Sequence, residues 1–176
     1  VAGGSTGRLA AARSDSLAVV AVIPARFASS RLPGKPLLRE TGKYLIQHVW
    51  ERVRQAQGPV QDFCVATDDP RVFEAVKSFG GKAMMTRTDH PSGTDRVAEV
   101  ARALELAPRD WVINIQGDEP EIDPEALVRL ASTLTQREGD PTAEIFTLAS
   151  RFSDDGPRSG PGSPADPNCV KVVVDS

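Results

Sequence analysis

Ala18-Val19-Val20-Ala21-Val22-Ile23 is an unbroken apolar run of strand length, the pattern of a strand buried on both faces. Downstream, residues 44–57 place Leu45, Ile46, Val49, Trp50 and Val53 on one helical stripe, which Gly58-Pro59 stops. Asp62-Phe63-Cys64-Val65-Ala66-Thr67 is again strand-like. Asp69-Pro70 then supplies a cap and a first helical residue, with Val72, Phe73, Val76 and Phe79 facing the core up to Gly80-Gly81. Residues 82–86 read as a short strand, and residues 94–106 carry Val97, Val100, Ala101 and Leu104 at helical spacing. Trp111-Val112-Ile113-Asn114-Ile115 is a further strand, and Asp123-Pro124 opens a helix bearing Leu127, Leu130 and Leu134. Strand–helix units in series predict an α/β fold: a doubly wound, mostly parallel sheet with helices on both faces.

The chain has 176 residues, the size of one ordinary domain, and needs no disulfide to hold a core. Its 21 basic and 24 acidic residues leave a net charge of −3, against a protein that coats nucleic acid or binds membranes through basic charge. No apolar run approaches the ~20 residues that span a bilayer, so no membrane partner is expected. The two cysteines, Cys64 and Cys169, have no partner at metal-ligand spacing and read as reduced thiols, not a zinc site. Cytoplasm is the expected compartment, or an organelle if the N-terminal stretch is a transit remnant.

Residues 1–17 are rich in Gly, Ser and Arg and read as a flexible leader ahead of a nucleotide-binding domain over 18–176. The first residue is Val, so the chain is expected to be cut from something longer. Residues 153–168 are rich in Gly, Pro, Ser and Asp and are expected to form a disordered loop. Residues 169–174 read as a last strand that ends almost at the terminus, which suggests a domain truncated at its C-terminus.

Ligands of open parallel sheets bind beyond the carboxyl ends of the strands. Three loaded segments follow strands here. In Ile23-Pro24-Ala25-Arg26-Phe27-Ala28-Ser29-Ser30-Arg31-Leu32-Pro33-Gly34-Lys35-Pro36, small residues admit a polyanion to the backbone while Arg26, Arg31 and Lys35 supply fixed positive charge. A triphosphate needs that combination, although a solvated basic loop has the same composition. Pro36 after Gly34-Lys35 excludes a Walker A loop. Arg87-Thr88-Asp89-His90-Pro91-Ser92-Gly93-Thr94 offers an Arg and exposed backbone in a Ser-Gly turn, or is simply a turn in which Thr94 caps the next helix. Gln116-Gly117-Asp118-Glu119-Pro120 puts a carboxylate suited to Mg²⁺ at the same edge, or ends the strand in an acidic turn. Glu119 is either a second ligand or a cap. His48 and His90 lack partners at catalytic spacing and are expected to be structural.

Ile-Pro-Ala-Arg followed by Ser-x-Arg-Leu-Pro-Gly-Lys-Pro resembles the signature of 3-deoxy-D-manno-octulosonate (Kdo) cytidylyltransferases, the CMP-Kdo synthetases. The resemblance runs on through Val65-Ala66-Thr67-Asp68, Met85 to Thr94, Asn114 to Pro120, and Pro167 to Val173. It implies the Rossmann-like fold of nucleotidylyltransferases and transfer of CMP from CTP to the anomeric hydroxyl of Kdo, with release of pyrophosphate. It also implies roles. Arg26 and Lys35 would grip the CTP phosphates with Arg31 beside them. The backbone near Ala25, the Arg87 side chain and the Ser92-Gly93 turn would read cytosine and ribose. Gln116 would lie near the sugar, and Asp118 would hold Mg²⁺. Lys35, Arg26 and Asp118 are thus the expected catalytic set.

Members of that family continue well past residue 176, and the resemblance places much of the sugar pocket, a second metal-binding Asp and a homodimer contact in that later part. Two alternatives stay open: an enzyme like the CMP-sialic acid synthetases, and a truncated, non-catalytic CTP-binding module. Tyr44, where Pro is common in the family, is expected to affect local packing only.

Overall fold

The structure, a computed structural model, describes residues 17–28 and 32–136. Strands β1 (Val19–Pro24), β2 (Asp62–Thr67), β3 (Ala83–Met85) and β4 (Trp111–Asn114) form one sheet in the order β3-β2-β1-β4. Every pairing is parallel: Val22 lies beside Cys64 on one side and Asn114 on the other, and Thr67 lies beside Met85. Helices α1 (Leu45–Gln55), α2 (Pro70–Ser78) and α3 (Gly93–Ala103) connect the strands, and α4 (Pro124–Gln136) follows β4.

Central strand β1 explains the apolar run. Val19, Ala21, Val22 and Ile23 are wholly inaccessible to solvent, because helices cover both faces of the strand. Each Val or Ile so buried contributes about 1.5–3 kcal/mol. Val22, Cys64 and Ala66 face Val97 and Val100 of α3. On the opposite face Trp50 of α1 packs in tilted contact against Phe63 of β2 and Phe79 at the end of α2, with ring centroids 5.5 and 5.6 Å apart. The doubly wound arrangement is therefore as expected. Burial among these apolar neighbours pushes the Cys64 thiol up to about 12, which keeps it an inert thiol.

Local signals set the ends of the elements. Asp69 caps α2 by accepting from the Arg71 N–H at 2.9 Å, with Pro70 as the first helical residue. The helix closes in a Schellman pair, Gly80 N–H to Lys77 O and Gly81 N–H to Val76 O. In α3 the expected cap is displaced: Ser92, not Thr94, accepts from the Asp95 N–H at 3.2 Å. Gly93 becomes the first helical residue, and the hydroxyl one position ahead of it reaches the free N–H groups. α3 also ends earlier than expected, at Ala103, where the Leu106 N–H turns back onto Ala101 O with Glu105 in the left-handed region at φ 52°. Tyr44 precedes α1 and lies under the Arg39 guanidinium, 4.7 Å from its ring centroid.

Leu17, assigned to the leader from the sequence, is buried, and its carbonyl accepts from Gln61 Nε2 at 3.3 Å. Residues 1–16, the expected loop 153–168 and the expected strand 169–174 lie outside the described residues. No described helix is long and apolar enough to cross a membrane.

Candidate active site

The strand order makes the chain step from β1 to β2 to β3, then return to place β4 on the far side of β1. The sheet's switch point is thus the crevice between the carboxyl ends of β1 and β4, where ligands of such sheets bind. Two of the loaded segments leave the sheet there, and the third reaches it through the start of α3.

Pro24, the last residue of β1, is where the three meet. A Cβ on Gly117 would stand 2.6 Å from the Pro24 carbonyl oxygen, so the loop after β4 runs against the end of β1 and only glycine fits there. A Cβ on Gly93 would touch the Pro24 ring at 3.5 Å, which puts the Ser92-Gly93 turn on its other side. From the loop after β1, Lys35 Nζ reaches Asp118 Oδ2 at 2.6 Å. The expected convergence of cation and carboxylate at one rim is present.

Other expected residues take distinct positions. Arg26 follows directly on β1, and its Nη2 is buried with no hydrogen-bond partner among the described residues. The Ala25 N–H donates to the Ala66 carbonyl at 2.8 Å, so only its carbonyl remains to meet a base. Ser92 Oγ donates to Asp95 Oδ2 at 2.5 Å, a bond that holds the Asp95 carboxyl below its ordinary range. Gln116 is exposed, and its carbonyl accepts from the Glu119 N–H at 3.3 Å, so the Glu119 backbone closes this turn. Arg31 lies outside the described residues.

Arg87 is not joined to this group by any described contact. Its exposed guanidinium is held by Asp89, Nε to Oδ1 at 2.9 Å and Nη2 to Oδ2 at 2.5 Å, which lowers the Asp89 pKa and raises that of Arg87. Its backbone N–H donates to Glu99 Oε2 at 3.1 Å, and that same oxygen bonds the His90 ring. His90 therefore ties the loop to α3, and His48 bonds Thr41 Oγ1 at 2.6 Å.

Sequence reasoning missed Arg96. Its side chain is completely buried between α3 and the ends of β2 and β3, donating to Asp68 Oδ2 at 2.7 Å and to Thr86 Oγ1. It locks the loop after β2 to the loop that bears Arg87. A charged residue four positions before Val100, on the apolar face of α3, was the available signal.

Among the described residues no cluster of three or more His, Cys, Asp or Glu could hold a metal ion unaided. Asp118 alone, half exposed, fits an ion that brings phosphate oxygens and water as its remaining ligands, the habit of Mg²⁺.

Comparison with known proteins agrees with this geometry. Over 158 residues the chain is 51% identical to a 3-deoxy-manno-octulosonate cytidylyltransferase of Escherichia coli, a match covering 89% of this chain and 58% of that protein. It is 46% identical over 158 residues to an 8-amino-3,8-dideoxy-manno-octulosonate cytidylyltransferase of Shewanella pealeana, covering 90% and 61%. The chain thus spans under two thirds of the length of these relatives. A solved structure of CMP:2-keto-3-deoxy-manno-octonic acid synthetase complexed with CTP superposes with a TM-score of 0.65 at 54% identity, over 69% of this chain and 49% of that one. The resemblance drawn from the motifs is borne out by these names. A family model described as cytidylyltransferase matches residues 20–176, and the chain belongs to that family.

Proposed function

We propose that the chain is the nucleotide-binding part of an enzyme that transfers CMP from CTP to the anomeric hydroxyl of Kdo and releases pyrophosphate. The observation that carries this reading is the meeting of Lys35 and Asp118 at the switch point, 2.6 Å apart. A cation and a carboxylate on the two sides of one crevice suit a triphosphate that arrives with a divalent ion. The relatives named above support CTP as the nucleotide and a 3-deoxy-octulosonate as the acceptor, in place of a sialic acid. The motif resemblance also implies a homodimer; the compartment proposed is the cytoplasm, or an organelle if the N-terminal stretch is a transit remnant.

In this mechanism the sugar hydroxyl attacks the α-phosphorus in line, and pyrophosphate leaves on the opposite side. The protein's contribution is positioning and neutralisation of charge. Arg26 offers a buried N–H that lacks an acceptor among the described residues, a deficit that a phosphate oxygen would remove. Lys35 moves its ammonium from Asp118 to the leaving phosphates, a role that the motif resemblance also assigns to Arg31. Asp118, freed, would hold Mg²⁺, which would supply charge to lower the repulsion between phosphate and incoming oxygen. The Ala25 carbonyl accepts from the amino group of cytosine, Arg87 leaves Asp89 to meet the base, the Ser92-Gly93 turn holds the ribose, and Gln116 faces the sugar.

Calorimetric titration with CTP, ATP, GTP and UTP, with and without Mg²⁺, tests the reading. Selective, Mg²⁺-strengthened CTP binding is expected. Equal binding of all four nucleotides would replace it with a generic phosphate site.

A further inference from the structure

Lys35 follows a glycine whose backbone cannot hold its shape alone. Gly34 sits at φ 73°, in the left-handed region, and caps a single 3-10 turn, Lys35–Leu37. One turn of 3-10 helix has little intrinsic stability. Two features fix it from outside. The Gly34 N–H donates to the Phe27 carbonyl at 2.8 Å, and the Phe27 ring packs against Gly34 so closely that a Cβ there would stand 3.1 Å from it. The ring's π-system in turn meets the Arg71 guanidinium, whose central carbon is 3.4 Å from the ring centroid.

Arg71 is itself held. Asp69 accepts from the Arg71 backbone N–H at 2.9 Å, from Nε at 2.9 Å and from Nη2 at 2.7 Å. Asp69 is the cap of α2, and its own N–H donates to Thr67 Oγ1 at the end of β2. A continuous series of contacts therefore runs from the sheet through Asp69, Arg71, Phe27 and Gly34 to Lys35.

We propose that Arg71 and Phe27 are positioning residues for the anion site: their stacked pair sets the Gly34 turn so that Lys35 is aimed at the crevice before any ligand arrives. This rests on the reading of Lys35 as a polyphosphate ligand and extends it to residues that touch no substrate. Preorganisation of this kind appears as affinity, because the ligand need not order the loop. The pair acts on phosphate and leaves the base contacts alone.

The experiment has two arms, both on the full 176-residue chain with Arg71→Ala, Phe27→Leu and Phe27→Tyr. Without ligand, hydrogen exchange at the Gly34, Lys35 and Leu37 amides is expected to quicken in Arg71→Ala and Phe27→Leu, with the thermal midpoint near that of wild type. With ligand, inorganic tripolyphosphate, CTP and UTP are each expected to bind these two variants about three- to thirtyfold more weakly, the span of a cation–π contact. Phe27→Tyr, which keeps the ring, is expected to behave as wild type in both arms. Unchanged exchange in Arg71→Ala, or unchanged affinity where wild type binds tripolyphosphate, overturns the proposal. A loss confined to CTP overturns it as well, since the effect would then lie on the base. If exchange quickens but wild type binds no polyphosphate, the brace stands and the proposed function falls.

Discussion

Lys35 Nζ lies 2.6 Å from Asp118 Oδ2, joining a cation carried by the loop after β1 to a carboxylate carried by the loop after β4. The two side chains are 37% and 52% exposed, so the pair contributes at most about 1 kcal/mol to stability once solvent screening is counted. Its chemical consequence is larger. On the proposed function, while the pair is closed the lysine would neutralise the oxygen that a divalent ion needs, and the carboxylate would occupy the cation that phosphate needs. Nucleotide and ion together would satisfy both partners, whereas either alone would leave one charge uncompensated.

On the proposed function, Lys35→Ala in a full-length version of the enzyme is expected to lower CMP transfer at least ~100-fold, the scale of losing one preorganised electrostatic donor, while shifting the thermal midpoint little. Pyrophosphate release from CTP and Kdo measures the first and a melting curve the second. Wild-type turnover in this variant would remove Lys35 from the chemistry.

Gly117→Ala is expected to behave in the opposite manner, with the damage structural before it is chemical. The new methyl would sit 2.6 Å from the Pro24 carbonyl oxygen, a backbone atom in a sheet that cannot yield. Displacing the loop costs about 1–3 kcal/mol and carries Asp118 away from Lys35. Denaturant titration should show the loss of stability, and the gain in CTP affinity on adding Mg²⁺ should shrink. A variant as stable as wild type would mean that the loop has room the structure does not show.

The sheet was legible because its strands are apolar runs bounded by turn residues, and β1, buried on both faces, cannot be mistaken for an alternating surface strand. The rim was legible because strand ends in parallel sheets share one edge, so segments after strands had to approach each other. The cap of α3 was not: Ser92 and Thr94 both carry hydroxyls, and only backbone geometry decides which one meets the free N–H groups. Arg96 escaped because its partners, Asp68 and Thr86, are distant in the chain and a buried guanidinium looks from sequence like an exposed one. The stack of Arg71 on Phe27 joins the first turn of α2 to the loop after β1, elements with no common periodicity, so nothing in the spacing points to it.

Glu105 offers a test of backbone strain away from the site. It holds φ 52° just after α3, where an L-residue pays roughly 1–2 kcal/mol and glycine pays none of that steric cost. Glycine loses about 0.5–1 kcal/mol more chain entropy on folding, so Glu105→Gly should stabilise the protein by only about 0.5 kcal/mol. Denaturant midpoints should rise slightly with an unchanged slope and unchanged CTP affinity. A fall in the midpoint would show that the Glu105 side chain contributes a contact that outweighs the strain.

The loop bearing Arg87 has its own acid sensitivity, set by Glu99. The His90 ring bond, aided by the Arg87 backbone N–H and the charges of both residues, holds the Glu99 carboxyl below its ordinary value of 4.5. A carboxylate whose pKa is lowered on folding stabilises the native state fully above its unfolded value and loses that contribution as pH falls through the folded one. Wild type should therefore exceed Glu99→Gln in stability at about pH 5, and the gap should close as the pH is taken below 4.5 toward full protonation. Asp89 and Asp95 also titrate low, held by Arg87 and by the Ser92 hydroxyl, but they are common to both proteins and cancel in the difference. Melting curves of the two proteins across that window measure the gap directly. A gap that stays constant through it would mean that Glu99 is not the acid-sensitive tie between the loop and α3.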